Sequence, residues 1–210
     1  MNARARMVAD QIWARGVRDP RVLDALTRVP REVFIPDDHR NEAFQDHPVP
    51  IGYGQTISQP YIVGYMTDSL KVEPGHRVLE VGTGCGYQTA VLAELAGEVY
   101  SMELIDALAE RARRTLDDLG YVNVHVKAGD GYAGWPEHAP FDRILVAAAA
   151  PDVPRALIDQ LAGDGILVIP VGVAAQELRV LQKRGGTIEL LSTLSVRFVP
   201  MVRPGQTGSS

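Results

Sequence analysis

The sequence is poor in cysteine and in residues that bind metals. Cys85 is the single cysteine among 210 residues, and only five histidines are present. One cysteine cannot form an intrachain disulfide or, by itself, a thiolate metal site, and the histidines lack the close spacing of metal ligands. We therefore expect no metal site and a protein that resides in the reducing cytoplasm.

An excess of positive charge is also missing. Lysine and arginine together number 21 against 26 aspartates and glutamates, which leaves a formal net charge of −5. A negatively charged chain without a basic cluster repels a phosphate backbone. Nucleic acid is therefore not an expected partner.

Long apolar stretches are absent as well. No apolar run approaches the ~18 residues that a transmembrane helix needs. The first residues carry some positive charge, but the apolar stretch of a signal peptide does not follow them. We expect no association with a membrane.

What the sequence does contain is the composition of a folded domain, with 46% apolar and 22% charged residues. A chain of this length has room for a substantial core. We predict a single domain over residues 1–210. It comprises a helical and loop-rich N-terminal region at 1–70, a core at 71–203 and a flexible tail at 204–210.

The N-terminal region predicts helices separated by a long loop. Apolar residues recur at near-helical spacing up to residue 29, with a break at Gly16. Asp19 and Pro20 then form an N-cap followed by a proline suited to the first turn, so we interpret the stretch as two short helices. Residues 30–60 are rich in proline and glycine and predict a loop, and residues 61–70 predict a helix.

From residue 77 onward, short strands alternate with helices. A Gly-Gly pair at 185–186 then separates two final strands, which predicts an antiparallel hairpin at the sheet edge. The fold class is therefore α/β, a doubly wound and mostly parallel sheet covered on both faces. The predicted strands lie at 77–81, 98–102, 122–127, 143–147, 165–171, 178–182 and 188–196, and the helices at 87–96, 105–119 and 153–161.

A glycine-rich loop follows the first strand of this sheet, where a doubly wound fold opens a crevice for a ligand. Glu80 precedes Gly82, Gly84 and Gly86, which alternate with Thr83 and Cys85. The spacing G-x-G-x-G is one residue shorter than the G-x-G-x-x-G of dinucleotide sites. An NAD-dependent oxidoreductase is thereby disfavoured, although a cofactor titration is needed to decide.

Two further acids follow the next two strands. Glu103 ends the second strand, where an acid can accept both ribose hydroxyls of a nucleoside or can simply cap the next helix. Asp130 and Gly131 follow the third strand, where Asp130 can bind an adenine amino group or belong to a plain turn. Their placement at successive strand ends, together with the glycine loop, favours a nucleoside-containing cofactor.

The segment before the sheet contains Thr56, Ser58 and Pro60. Ser58 is suited to be the N-cap of the helix that follows, and backbone N–H groups at such a helix start attract carboxylates. Helix capping and substrate binding are compatible interpretations of this serine.

The glycine loop resembles the first motif of Rossmann-like methyltransferases that bind S-adenosyl-L-methionine. A more specific resemblance covers roughly residues 4–201 and is to the protein-L-isoaspartate O-methyltransferase family. It is carried by PVPIGYGQTISQP at 48–60, EVGTGCGYQ at 80–88, GDG at 129–131, APFD at 139–142, PVG at 170–172 and RFVP at 197–200.

This resemblance implies methyl transfer from S-adenosyl-L-methionine to the free carboxylate of L-isoaspartyl residues, a step in protein repair that leaves S-adenosyl-L-homocysteine. It implies that Ser58 is the active-site residue and that Glu80 lies near the positive groups of the cofactor. The partners would be isoaspartyl peptides and proteins, and we expect a monomer. The cofactor-binding residues expected are Thr56, Ile57, Ser58, Glu80, Gly82, Thr83, Gly84, Cys85, Gly86, Glu103, Leu104, Asp130 and Gly131.

The chain departs from the family pattern at Cys85, where the family often has a small residue such as serine, and at Ala147, where it often has threonine. These departures are the only motive for one alternative, a cofactor-binding module without catalysis. Two others also stay open: a related methyltransferase for aspartate in one dedicated peptide, and the oxidoreductase that the glycine spacing disfavours. We expect Arg111, Arg113 and Arg114 to form a solvated helix face. The net charge of −5 offers no long-range attraction for a carboxylate, so its recognition is assigned to the helix start at Ser58 and to the sulfonium.

Overall fold

The computed structural model describes residues 2–205 and begins with two helical segments. Helix α1, Ala3–Met7, continues through a π turn and a 3₁₀ turn to Gly16, whose φ of 103° ends the segment. Helix α2, Pro20–Arg28, begins with Asp19, whose carboxylate accepts a hydrogen bond of 2.9 Å from the Arg21 amide. The predicted pair of short helices and the Asp19 cap are confirmed.

The proline-rich stretch that follows is more ordered than predicted. Two 3₁₀ turns, Arg31–Phe34 and Asp37–Glu42, lead to strands β1, Val49–Gly52, and β2, Gln55–Ile57. The strands form an antiparallel hairpin whose turn residues Tyr53 and Gly54 both have positive φ. Expecting only loop at 30–60 was therefore wrong. Helix α3, Pro60–Leu70, follows as predicted.

The remaining chain forms a seven-stranded sheet and its helices. The strands are β3 Arg77–Val81, β4 Glu98–Glu103, β5 Val124–Ala128, β6 Phe141–Val146, β7 Leu161–Val171, β8 Gln176–Arg184 and β9 Thr187–Val196, and the helices are α4 Tyr87–Ala93, α5 Asp106–Asp118 and α6 Arg155–Gln160.

The strand order β5-β4-β3-β6-β7-β8-β9 confirms the predicted doubly wound topology. Pairing is parallel from β5 to β7 and antiparallel from β7 to β9. From β3 the chain continues to β4 and β5 on one side of the sheet, whereas from β6 it continues to β7 on the other side. The boundary between β3 and β6 is therefore the switch point where such sheets bind ligands. Gly185 and Gly186, both with positive φ, form the predicted turn between β8 and β9.

Apolar side chains cover both faces of the sheet. Val78 packs in one buried cluster, whereas its neighbour Leu79 packs in another, because successive strand residues point to opposite faces. The first cluster also contains Met7, Leu26 and Met66, so the N-terminal helices share a core with the sheet.

No helix within residues 2–205 combines the length and the apolar character needed to cross a membrane. Of the tail expected at 204–210, residues 204 and 205 lie in a turn and residues 206–210 lie outside the described part of the chain.

Candidate active site

The glycine loop between β3 and α4 crosses the carboxyl edge of the sheet at the switch point. Its backbone is held there because the Gly82 amide donates a hydrogen bond of 2.8 Å to the Met102 carbonyl of β4. Gly86 has a φ of 93°, and a Cβ on it would lie 3.2 Å from Leu116. Glycine at 86 therefore serves both the turn into α4 and the close approach of α5.

A cavity opens beside this loop and contains most of the predicted site. Its wall is completed by the β1–β2 hairpin region, the inner face of α3 and the segment after β9. The predicted residues that line it are Thr56, Ile57, Ser58, Gly82, Thr83, Gly84, Cys85, Glu103, Leu104 and Gly131.

Glu103 connects the end of β4 to the glycine loop. Its Oε2 accepts a hydrogen bond of 2.8 Å from the Gly84 amide, and its Oε1 accepts one of 3.0 Å from the Ile105 amide. Each carboxylate oxygen has two lone pairs, so both oxygens can still accept a further hydrogen bond from a ligand hydroxyl. Glu103 thus shapes the loop and remains available to the cavity.

Glu80 does not line the cavity and is completely buried behind the loop. Its Oε2 accepts hydrogen bonds of 2.5 Å from Ser101 and from Thr89, and Ser101 is also 2.6 Å from the Thr83 hydroxyl. Burial raises the pKa of Glu80 to about 7. Glu80 therefore holds Thr83 in place through Ser101. It does not face the cavity, where the positive groups of a cofactor were expected beside it.

Gly86 and Asp130 also lie outside the cavity wall. Asp130 accepts a hydrogen bond of 2.9 Å from the Tyr132 amide, and its second oxygen lies 3.7 Å from the Arg203 guanidinium. It thereby caps the 3₁₀ turn Gly131–Ala133. Asp130 therefore has the role of a turn residue, the second of its two interpretations. Its neighbour Gly131 does line the cavity.

Ser58 has a different local role from the one predicted. The N-cap of α3 is Gln59, because Pro60 occupies the first helical position, so the interpretation of Ser58 as the N-cap was wrong. The Ser58 carbonyl accepts a hydrogen bond of 2.9 Å from Arg31. Within residues 2–205 its hydroxyl has no hydrogen-bond partner, which leaves it free to donate to a ligand.

The helix face with three arginines also differs from the prediction. Arg111 donates a hydrogen bond of 2.6 Å to the Ile51 carbonyl of β1, and Arg113 donates one of 3.1 Å to the Val126 carbonyl. Only Arg114 conforms to a solvated face, since it pairs solely with Glu110. Arg111 therefore joins α5 to the β1–β2 hairpin, which forms part of the cavity wall.

Several cavity residues were missed from the sequence. In the sequence, Val63 and Met66 on α3 look like ordinary core residues. A single sequence does not distinguish an apolar residue of the core from an apolar residue of a cavity wall. Val81 and Met102 could have been found, because they stand at the carboxyl ends of predicted strands. The other missed residues are Gln55, Tyr87, Gln88, Ile105, Ala148, Val199, Pro200, Met201 and Val202.

A groove on the outer side of Ser58 adjoins the cavity. Thr56, Ser58, Ala147, Val199 and Pro200 line both spaces, which therefore meet at these residues. The groove continues along the end of β9 and past the start of α3. Arg15 and Arg197 are among its lining residues, which include no aspartate or glutamate.

Cys85 is a buried free thiol in the cavity wall. Burial raises the pKa of this thiol, so it stays protonated and is unsuited to act as a nucleophile. Residues 2–205 bring together no three His, Cys, Asp or Glu side chains that could hold a metal ion.

The fold and the site together define a class of protein. A doubly wound sheet with a G-x-G-x-G loop at its switch point, an acid ending the second strand and an antiparallel C-terminal hairpin is that of a Rossmann-like methyltransferase. The family model of protein-L-isoaspartate(D-aspartate) O-methyltransferase matches residues 2–206. The chain belongs to this family.

Individual relatives agree with the family match. The chain is 56% identical over 198 residues to a protein-L-isoaspartate O-methyltransferase of Picosynechococcus sp., covering 94% of this chain and 89% of the relative. It is 50% identical over 209 residues to a protein-L-isoaspartate O-methyltransferase 2 of Geotalea uraniireducens, covering 98% and 96%.

Solved structures show the same similarity. One protein-L-isoaspartate O-methyltransferase superposes with a TM-score of 0.86 at 27% identity, over 98% of this chain and 67% of the other. A protein from Plasmodium falciparum, described as a putative member of the family in complex with S-adenosyl-L-homocysteine, gives 0.82 at 26% identity over 97% and 100%.

Proposed function

We propose that this protein transfers the methyl group of S-adenosyl-L-methionine to the free carboxylate of L-isoaspartyl residues in damaged peptides and proteins. The observation that carries the proposal is the junction of two spaces. The cavity beside the glycine loop and the outer groove share the wall formed by Thr56, Ser58 and Ala147. A donor in one space and an acceptor in the other would meet there.

The residues of the cavity fit this cofactor. Glu103 has acceptor capacity for ribose hydroxyls, and Met102, Leu104 and Ile105 give an apolar wall suited to a flat base. A Cβ on Gly84 would lie 3.4 Å from the Ile51 side chain, so the hairpin lies close over the loop. We assign ribose binding to Glu103 and contact with the methionine portion to the loop around Gly82 and Thr83.

The chemistry requires no catalytic base from the protein. The sulfonium of the bound cofactor supplies an activated methyl group, and a carboxylate with an ordinary pKa near ~4 is already ionised at neutral pH. The protein must align two reactants, an effect that contributes up to ~7–11 kcal/mol in favourable cases. Among the described residues no histidine lines the cavity, and its one carboxylate, Glu103, accepts hydrogen bonds from two backbone amides, which is consistent with this requirement.

Ser58 is placed to orient the acceptor. It lies between the cavity and the groove, its carbonyl is fixed by Arg31, and its hydroxyl is free to donate to a carboxylate oxygen. We assign it the role of an orienting donor. A nucleophilic role has no support, because no base lies within hydrogen-bond distance of the Ser58 hydroxyl in residues 2–205.

The groove carries a local positive charge, although the net charge of the chain is −5. Its two arginines, Arg15 and Arg197, are not matched by any acid in the groove wall. Arg15 forms an ion pair with Asp46 outside that wall, whereas Arg197 is exposed and forms none within the described residues. An anionic peptide would therefore meet attraction at short range although the chain is acidic overall.

A methyl-transfer assay that compares an isoaspartyl peptide with its normal aspartyl isomer tests the proposal. We expect transfer to the isoaspartyl peptide alone, and transfer to neither peptide would overturn the proposal. Transfer confined to one specific protein segment would favour the dedicated-peptide alternative, and binding of NAD in place of S-adenosyl-L-homocysteine would favour an oxidoreductase.

The role of Ser58 has its own test. We expect Ser58→Ala to lower turnover at least about tenfold, because one charge-assisted hydrogen bond is lost, and to leave the Kd for S-adenosyl-L-homocysteine within about twofold. Ser192→Ala, on the exposed face of β9, is the matched control. Loss of cofactor binding in parallel with turnover would show that Ser58 is not an orienting residue.

We further propose that the protein acts as a cytoplasmic monomer. The one free cysteine is buried, as suits a reducing compartment, and no intermolecular disulfide is available to it. Light scattering on a size-exclusion column is the test of the monomer, and fractionation of the source cells is the test of the location.

A further inference from the structure

Arg31 is a fully buried arginine that holds two distant parts of the N-terminal region. Its relative exposure is 0%. Its Nε donates a hydrogen bond of 2.7 Å to the Ala43 carbonyl, and its Nη2 donates one of 2.9 Å to the Ser58 carbonyl. The guanidinium therefore fixes the backbone of the residue to which we assign orientation of the acceptor.

The charge on Arg31 is not neutralised by the protein. Within residues 2–205 the groups that interact with it electrostatically are Tyr87 and Cys85, and no carboxylate is among them. Its Cζ lies 4.9 Å from the centre of the Tyr87 ring. Burial lowers the pKa of Arg31, but an arginine keeps its proton in proteins. A buried charge without an ionic partner is costly to stability, so a purely structural need is a poor explanation for it.

The position of this charge matters for the site. Tyr87, Cys85 and Ser58, three of the neighbours of Arg31, line the cavity, whereas Arg31 itself does not. The positive charge is thus one layer behind the wall at which the two spaces meet. In this weakly polar surrounding it acts over a longer range than the exposed arginines of the groove do.

We propose that Arg31 is a positioning residue for the acceptor carboxylate. It fixes the Ser58 carbonyl so that the Ser58 hydroxyl and amide face the acceptor, and its uncompensated charge makes the junction favourable for an anion. A ligand carboxylate would be the missing counter-charge. This inference deepens the proposed function and rests on it.

A purely structural role for Arg31 makes a different prediction. An arginine that only braces Ala43 and Ser58 would lower stability and turnover when replaced, but it would not distinguish a charged acceptor from a neutral one. The comparison of an isoaspartyl peptide with the same peptide carrying isoasparagine, whose acceptor group is a neutral amide, makes this distinction.

The experiment measures the Kd of both peptides by calorimetry with protein saturated by S-adenosyl-L-homocysteine. We expect the wild-type protein to bind the isoaspartyl peptide at least about tenfold more tightly than the isoasparagine peptide, as a desolvated charge pair allows. Arg31→Met should bring the two Kd values within about twofold. Arg31→Lys should restore part of the preference, and more of it as the pH is lowered, because burial lowers the pKa of a lysine and a buried lysine carries its charge only at lower pH.

Arg4→Met is the matched control. Arg4 also donates to two backbone carbonyls in the N-terminal region, those of Thr27 and Arg28, but it has a carboxylate partner in Glu32 and, within residues 2–205, makes no hydrogen bond to Ser58. We expect it to lower Tm and to leave the preference for the charged peptide intact. The Kd for S-adenosyl-L-homocysteine should stay within about twofold in all Arg31 variants, since cofactor contacts are untouched.

The outcomes separate this inference from the proposed function. Absence of methyl transfer by the wild-type protein would count against the proposed function. Equal binding of the two peptides by the wild-type protein, or an unchanged preference in Arg31→Met, would overturn the role of Arg31 while methyl transfer remained. Should Arg31→Met fail to fold, the wild-type preference and the pH dependence of Arg31→Lys still decide. A preference that is lost in Arg31→Lys and does not return when the pH is lowered would overturn the proposal.

Discussion

The Glu103 carboxylate accepts a hydrogen bond of 2.8 Å from the Gly84 amide and so joins the end of β4 to the loop that follows β3. The same side chain also accepts from the Ile105 amide at the start of α5. One carboxylate therefore organises three neighbouring elements around the cavity. Its effect on cofactor binding should exceed that of a side chain that only touches the ligand.

Glu103→Gln should raise the Kd for S-adenosyl-L-homocysteine at least about tenfold, because the amide nitrogen of glutamine cannot accept from a backbone N–H and one loop contact is lost. Isothermal calorimetry measures the change. Asp106→Asn, three residues further on and exposed at the start of α5, is the control and should leave the Kd within about twofold. Equal effects of the two substitutions would remove Glu103 from the binding site.

Arg111→Met should loosen the β1–β2 hairpin, since the hydrogen bond to the Ile51 carbonyl is lost while most of the apolar stem remains. We expect faster amide exchange in residues 49–57 and a Kd for S-adenosyl-L-homocysteine raised about three- to tenfold. Hydrogen exchange with mass spectrometry detects the first effect. Arg114→Met, on the same helix but paired only with Glu110, should change neither, and an unchanged hairpin in Arg111→Met would contradict the tether.

Gly131→Ala should be destabilising for reasons of space alone. A Cβ at this position would lie 2.4 Å from Val81 and 3.2 Å from Met201, and all three residues line the cavity. We expect a loss of roughly 1–3 kcal/mol in the free energy of unfolding and weaker cofactor binding.

Urea unfolding measures this loss, and Gly163→Ala is its control, because a Cβ there meets no atom within 4 Å. Adding Val81→Ala to Gly131→Ala should recover part of the binding by making room. A Gly131→Ala protein as stable as the control would mean that the strands shift to accommodate the methyl group.

The buried Glu80 should make the protein less stable as pH rises. Its pKa is about 7 in the folded state, above the 4.5 of an exposed glutamate, because burial disfavours the charged form. Between these two values the unfolded state loses its proton first, so folding stability falls with increasing pH through this window and levels off above it.

The effect of Glu80 on the free energy of unfolding should be about 2 kcal/mol between about pH 5.5 and about pH 8.5. Glu80→Gln, which mimics the protonated acid, should lack this component when urea unfolding is compared at the two pH values. A pH dependence identical in both proteins would show that Glu80 titrates normally.

Sequence reasoning succeeded where a short-range pattern determines the structure. The β3 boundaries at 77 and 81 were predicted without error, since the segment RVLEV contains two β-branched valines and a leucine and ends directly at the glycine loop. The Gly185–Gly186 turn was equally clear, because two consecutive residues with positive φ are suited to glycine.

Sequence reasoning failed where the structure depends on a residue outside the local pattern. Pro50 and Gly52 suggested a loop, yet β1 forms because it pairs with β2, whose residues lie three to eight positions further along the chain. Ser58 looked like an N-cap, although Pro60 in the first helical position already assigns that place to Gln59. Arg111 looked solvated, because its partner Ile51 lies 60 residues earlier in the chain.

Ala147 follows β6 and forms part of the wall of both the cavity and the groove. A Cβ placed on Gly82 would lie 3.3 Å from its methyl group, so Ala147 packs closely against the glycine loop where the two spaces meet. A larger residue would narrow both spaces at once. In the proposed complex, the side chain at position 147 would border both ligands, so its size would affect the binding of each one.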